Sequence, residues 1–309
     1  MIEVENLCRR YGSATVLDGV TFDAKAGEVI GLLGPNGAGK TTTMRILTGF
    51  MPPSSGRAVI NGHDVVRDSM AARASVGYLP ERTPIYPDMT LEACVMFWAE
   101  LRGVKKARAA AQDALRKVDL FERRHSLVRN LSKGMRQRLG LAQALVHNPP
   151  VVILDEPTIG IDPAQVIDVR QTVKNLGKDH TVLFSTHILT EAEQVCDRVV
   201  ILNQGKIAAA GTPEQLRKKL FAGDRLHIQI TGLTPAVALK TLRDASGVAK
   251  VEPTGTGFEV RAKPNLDPRA HIAGAVQRAG GLIIELRPID LTLEDIFLNL
   301  VGADARGAE

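Results

Sequence analysis

The stretch GLLGPNGAGKTTTMRILTG, residues 31–49, sets glycines, one lysine and a run of threonines at a spacing suited to binding an anion. Gly34, Gly39, Lys40 and Thr41 match the pattern GxxxxGK[ST], in which backbone N–H groups wrap the phosphates of a nucleotide. Glycine helps twice, by taking backbone angles closed to other residues and by letting the main chain approach a ligand. Lys40 would reach the outer phosphates and the Thr41 hydroxyl would bind Mg²⁺, with Asn36, Gly37 and Thr42 completing the surface that faces the nucleotide. A second chemically capable pair, Asp155 and Glu156, ends the run VVILDEP at 151–157. Asp155 would hold Mg²⁺ through its water shell, and Glu156 could polarise a water attacking the terminal phosphate. A glycine-rich turn or two adjacent acids alone can be purely structural. Together they predict a nucleoside triphosphate site.

Such a site needs a strand to deliver the loop and a helix to receive it. GEVIGLLG, residues 27–34, reads as a short buried strand, and residues 40–49 read as a helix with Met44 and Leu47 facing inward. A helix starting near Lys40 points unpaired N–H groups and the positive end of its dipole at the same anion. The β-branched apolar run before Asp155 reads as a buried parallel strand whose carboxyl end carries the acids to the site. Between the two motifs, LSKGMRQRLGLAQALVHNP at 131–149 places Ser132 as a helix cap ahead of Met135, Leu139, Ala142 and Val146 at helical spacing. Alone, that segment is an ordinary amphipathic helix.

The phosphate loop, LSxG, an apolar strand ending in DE, GIDP at 160–163 and STH at 185–187, in that order, resemble the ATP-binding cassette ATPases over about residues 1–215. The resemblance implies a P-loop α/β fold, with a RecA-like core plus antiparallel β and helical subdomains, and ATP with Mg²⁺ as ligands. It implies that Tyr11 stacks on adenine, and that Ser132 and Gly134 form a signature loop touching the γ-phosphate of ATP held by another subunit. Asp162 would belong to the loop coupling the two sites, and His187 would be the switch histidine that senses the γ-phosphate. Because one chain carries one set of motifs, the implied partner is a second copy or close relative, in a head-to-tail dimer around two ATP molecules. The family usually has a glutamine after the third core strand. Here SVGYLPERTPIYPDMT supplies Glu81, expected near Mg²⁺ but adding a negative charge. Lys133 and Met135 stand where the wider family favours glycine and glutamine. These departures resemble the branch that drives ABC-2 type exporters, including gliding-motility and multidrug or sodium efflux ATPases. In that branch a separate integral membrane permease would dock on helices between about Leu91 and Asn130. The chain would be cytoplasmic, peripheral on the inner face of the cell membrane.

At 309 residues and 44% hydrophobic content, the chain can fill two domains of ordinary size. Its longest apolar runs fall far short of the roughly 20 residues of a membrane-spanning helix, and its start lacks a secretory signal pattern. Cys8, Cys94 and Cys196 show no CxxC spacing and read as reduced thiols rather than zinc ligands. A net charge of +5 is too small to demand nucleic acid as a partner. The basic residues between Arg102 and Arg129, interleaved with Asp113, Asp119 and Glu122, read as a solvated face, with a surface near anionic lipid or another protein as the alternative. After GTPEQLRKKLFAGD the composition changes, which places a boundary near Gly223 and divides the chain into 1–222 and 223–309. The remainder reads βαββαβ, a small α+β ferredoxin-like domain, followed by LTLEDIFLNLVG with Thr292 and Asp295 in capping-box spacing. That domain is expected to stabilise a dimer or dock a partner, with ligand sensing left open. Two other functions stay in view. A soluble cassette ATPase acting on a cytosolic macromolecular complex would favour two cassettes per chain or a long coiled-coil insertion, and the sequence has neither. A nucleotide-binding module without catalysis would not need Glu156 and His187.

Overall fold

The computed structural model describes residues 1–220, 225–263 and 266–289, with Glu294 and Phe297 as isolated positions. The chain divides into two compact units, Met1–Pro213 and Glu214–Glu309. Gly223, where the composition changes, lies outside the described residues.

The first unit opens with an antiparallel hairpin, β1 (Ile2–Tyr11) and β2 (Ala14–Ala24), and passes through β3 (Val29–Leu33) into α1 (Lys40–Leu47). Next come β4 (Ser55–Ile60), the short β5 (His63–Asp64), α2 (Ser69–Ala74) and β6 (Val76–Leu79). Three helices follow, α3 (Leu91–Leu101), α4 (Ala107–Lys117) and α5 (Lys133–Leu145), and they bury Cys94, Ala111, Leu115 and Leu139. The chain then alternates through β7 (Val151–Asp155), α6 (Pro163–Leu176), β8 (Thr181–Thr186), α7 (Leu189–Val195), β9 (Arg198–Asn203) and β10 (Lys206–Gly211).

Two sheets result. One is antiparallel, in the order β2-β1-β4-β5. The other has six strands in the order β10-β9-β3-β8-β7-β6, parallel from β9 to β6 with β10 antiparallel at its edge. Every residue of β3, β7 and β8 is buried, as a parallel sheet covered on both faces requires. Met44 and Ile46 of α1 share one core with Leu7 and Leu17 from the antiparallel sheet and Ile30 and Leu32 from the parallel one. The helix that begins at Lys40 is thus held by both sheets.

Register decides where the chemistry lands. Leu33 pairs with Thr186 and Asp155 with Ser185, so β3, β7 and β8 end level with one another. The chain leaving each strand there carries Gly34, Glu156 and His187 to the same edge.

From the last residue of the first unit α8 (Pro213–Leu220) leads into the second, which continues with β11 (Arg225–Thr231), α9 (Pro235–Arg243), β12 (Val248–Thr254), β13 (Gly257–Ala262), α10 (Arg269–Arg278) and β14 (Leu282–Pro288). Its sheet runs β12-β13-β11-β14, antiparallel throughout, the ferredoxin-like arrangement of a βαββαβ chain. Ile228, Leu242, Val260 and Ile272 form its core. Thr292 and Asp295, the anticipated capping pair of the terminal segment, lie outside the described residues.

Candidate functional site

Beyond β3 the chain turns through Gly34 and Gly39, whose φ angles of +156° and +105° side chains rarely tolerate. Crowding adds to the requirement. A Cβ on Gly34 would lie 2.5 Å from the Leu202 carbonyl oxygen, and one on Gly39 would lie 2.5 Å from Leu17 Cδ2. The helix cap at Gly39 offers no side chain to the first N–H groups of α1, so these donors face outward as an anion site.

A cleft of about 510 Å³ opens over this loop. Residues 35–42 and Val16 line it, joined by Glu81, Glu156, Ile159 and His187. The fold therefore collects Asn36, Gly37, Gly39, Lys40, Thr41 and Thr42 around one space with the two acids and the histidine. Lys40, only 6% exposed, donates through Nζ to the carbonyl oxygens of Gly34 at 2.8 Å and Pro35 at 3.3 Å. The same Nζ lies 3.4 Å from Glu156 Oε1. The other oxygen of Glu156 lies 2.8 Å from His187 Nδ1. A carboxylate can only accept there, so Nδ1 carries the proton. Glu156 itself has φ of +50°, a left-handed conformation uncommon outside glycine. Its N–H donates to Ser185 Oγ at 2.9 Å, which helps hold that turn at the strand end. Residues held in such conformations gather at functional sites, where the surroundings over-determine them.

Asp155 lies beneath the cleft, 1% exposed. Its Oδ1 accepts from Ser185 Oγ at 2.7 Å and from Thr41 Oγ1 at 3.4 Å, while Oδ2 is buried with no hydrogen-bond partner. Burial pushes its carboxyl above the ordinary value, the Ser185 and Thr41 hydroxyls pull it back, and the charges of Glu156 and Glu81 push it up again. An unsatisfied buried oxygen beside a threonine hydroxyl fits a hard, oxygen-seeking cation. Among the described residues no cluster of three or more His, Cys, Asp and Glu could hold a metal. The Thr41 hydroxyl and the Asp155 carboxylate would fit Mg²⁺, which keeps several waters and takes substrate phosphates in place of a full protein cage.

The raised carboxyl has a consequence for stability. The native chain keeps the Asp155 proton to higher pH than the unfolded chain, so stability falls as pH rises from the ordinary value of 3.8 through the raised native one. Asp155→Asn is expected to raise Tm at neutral pH, because the amide carries no charge to desolvate. The gain should shrink as pH falls through the raised native value and vanish below 3.8, where wild-type Asp155 is protonated in both states. Thermal unfolding of both chains across pH measures this. A variant less stable than wild type at pH 7 would contradict it.

Residues 17–159 match the family model described as ABC transporter. The chain is 36% identical over 306 residues to the Nod factor export ATP-binding protein I of Burkholderia orbicola (strain AU 1054), spanning 98% of this chain and 97% of that protein. It is 35% identical over 314 residues to the daunorubicin resistance ATP-binding protein DrrA3 of Streptomyces coeruleorubidus, spanning 100% and 98%. This chain belongs to the ABC transporter family of ATP-binding proteins. A solved structure of the ATP-binding subunit of an ABC transporter superposes with a TM-score of 0.65 at 35% identity, covering 71% of this chain and 92% of that one. The protein is an ATPase of the ABC transporter type.

The remaining motif residues of the ABC ATPase lie outside its own cleft lining. Ser132 caps α5, accepting from Met135 N at 3.3 Å, and Asp162 caps α6, accepting from Gln165 N at 3.1 Å. Gly134 packs so tightly on the Gln165 amide that a Cβ there would overlap it, which joins the start of α5 to the start of α6. Tyr11 ends β1, half-exposed, with its hydroxyl 3.1 Å from Met51 Sδ and the Arg9 guanidinium 4.7 Å from its ring centre.

One group in the ABC ATPase escapes sequence reasoning. Glu191 on α7 is fully buried, and accepts hydrogen bonds from Thr158, Thr186 and Arg170. Its only sequence signal is an acid sitting beside Ala192 on the face that also buries Leu189 and Val195.

Proposed function

We propose that this ATPase powers export through a separate ABC-2 type membrane permease, and that two copies pair head to tail around two ATP molecules, each with Mg²⁺. The observation that carries the reading is the single cleft in which a phosphate loop, a buried lysine and the Glu156–His187 pair face one another. Ser132 and Asp162 are exposed helix caps away from that cleft, which suits them to a neighbour's nucleotide rather than their own. Mg²⁺ would be held by Thr41 and by Asp155, and Glu81, at the rim, would reach it through water. Tyr11 would stack on adenine. Export follows the relatives named for Nod factor export and daunorubicin resistance, each aligned over nearly the whole chain.

No helix among the described residues is long and apolar enough to cross a membrane. The proposed permease would meet this chain at α3. Tyr86 and Phe97 expose apolar side chains there at 47% and 38%, with ring centres 5.6 Å apart, edge to face. Leu101, at the end of the same helix, is 65% exposed. A ferredoxin-like second unit would steady the pair or add a docking surface.

Affinity purification from detergent-solubilised membranes tests this. The chain is expected to bring down an integral membrane protein, and Phe97→Asp should reduce that recovery by about tenfold, as the loss of an aromatic anchor does. ATP turnover of the purified chain should stay unchanged. Recovery with a ribosomal or DNA complex in place of a membrane protein would favour a soluble machine.

A further inference from the structure

We infer that Glu191 is a positioning residue for ATP hydrolysis, a single carboxylate that ties the chain beyond β7 to the chain beyond β8 and so sets Glu156 against His187. The inference rests on the reading of Glu156 as the residue that activates water.

Glu191 is 0% exposed, and its two oxygens take three donors. Oε2 accepts from Thr158 Oγ1 at 2.7 Å and from Thr186 Oγ1 at 3.1 Å, and Oε1 accepts from Arg170 Nη2 at 3.1 Å. Thr158 follows Glu156 by two positions, and Thr186 immediately precedes His187. The 2.8 Å contact between Glu156 and His187 therefore joins the same two segments that Glu191 clamps from behind. Thr186 Oγ1 also accepts from Ile188 N at 3.0 Å, which closes the turn bearing His187. The third donor brings in α6, the helix capped by Asp162, and Arg170 Nη1 extends the network to Gln194 Oε1 at 3.0 Å.

Packing alone does not require this arrangement. A buried ion pair can often be exchanged for apolar side chains of similar volume without loss of stability, whereas a hydrogen-bonded carboxylate fixes direction as well as distance. Direction is what a water-activating carboxylate needs, since a misplacement of about 1 Å can cost on the order of 100-fold in rate. Thr158, Thr186, Arg170 and Glu191 are all absent from the cleft lining. Any effect they have on turnover must pass through the residues they hold.

The test compares kcat, KM for ATP and Tm of the full chain with those of Glu191→Gln, Thr158→Val and Thr158→Ser. Glu191→Gln and Thr158→Val are expected to lower kcat by about tenfold or more. KM for ATP should stay within about twofold, because the phosphate loop that binds the nucleotide is untouched. Thr158→Ser keeps the hydroxyl and should recover wild-type kcat. The threonine pair keeps the test decisive even if the Glu191 variant folds poorly. A fall in Tm with kcat intact, or equal turnover in the valine and serine variants, would overturn the inference and leave Glu191 a structural anchor. Glu156→Gln is measured beside them. If it is inactive while Glu191→Gln turns over normally, only this inference fails; if Glu156→Gln is fully active, the reading of Glu156 fails and takes the inference with it.

Discussion

Lys40→Ala should remove MgATP binding across the range in which the wild-type chain saturates. Among the residues lining the cleft, Lys40 is the only lysine or arginine, and it faces two carboxylates, Glu81 and Glu156. With Lys40 gone, a triphosphate would meet net negative charge in a recess, and Glu156 would lose the cation 3.4 Å from its Oε1. Truncating one member of a buried, hydrogen-bonded charge pair typically costs about 2 to 5 kcal/mol, or roughly 30-fold to several thousand-fold in affinity. The backbone donors of the loop remain, so weak binding of the anion should survive at high concentration. Titration calorimetry with ATP and Mg²⁺ reads the change directly. Binding within threefold of wild type would refute the assignment of the loop as the phosphate site.

Glu156→Gln separates binding from chemistry. The amide keeps the size of the side chain, but it cannot take a proton from an attacking water. General-base catalysis contributes about 100-fold to 10,000-fold, so turnover should fall by that amount. ATP binding should persist or tighten, because Lys40 no longer has a carboxylate competing with phosphate. In the proposed head-to-tail pair, ATP that binds without being cleaved holds the closed state, and the variant should elute as a dimer with ATP while the wild-type chain returns to monomer. Light scattering on a sizing column, together with phosphate release, measures both parts. Turnover within tenfold of wild type, or a monomer at saturating ATP, would sink the prediction.

Much of this molecule can be read along the chain because its signals are local. The phosphate loop is contiguous, the all-apolar run before Asp155 marks a strand buried on both faces, and alternation in RLHIQI marks a half-buried one. The joining of the cleft is not local. It depends on Leu33, Asp155 and Thr186 ending level across three strands drawn from distant parts of the chain, a register fixed by the whole sheet. Glu191 stays hidden for the same reason. Two of its three donors, Thr158 and Arg170, are 33 and 21 residues away, so the pairing that makes the acid tolerable inside the protein has no spacing to announce it. The sulfur that meets the Tyr11 hydroxyl is likewise placed by the fold, Met51 being 40 residues distant, whereas Arg9 reaches the ring from two residues away on the same strand.

The narrow turns at Gly34 and Gly39 press against Leu202 and Leu17, residues that belong to neighbouring strands and never touch the cleft. The cradle therefore takes its form from masonry outside itself. A nucleotide arriving there meets a finished mould and loses little affinity to ordering the chain. In the proposed pair, free energy of the phosphate contacts would then be left to draw one subunit onto the other, so that the stiffness of two crowded glycines would become the reach of a motor.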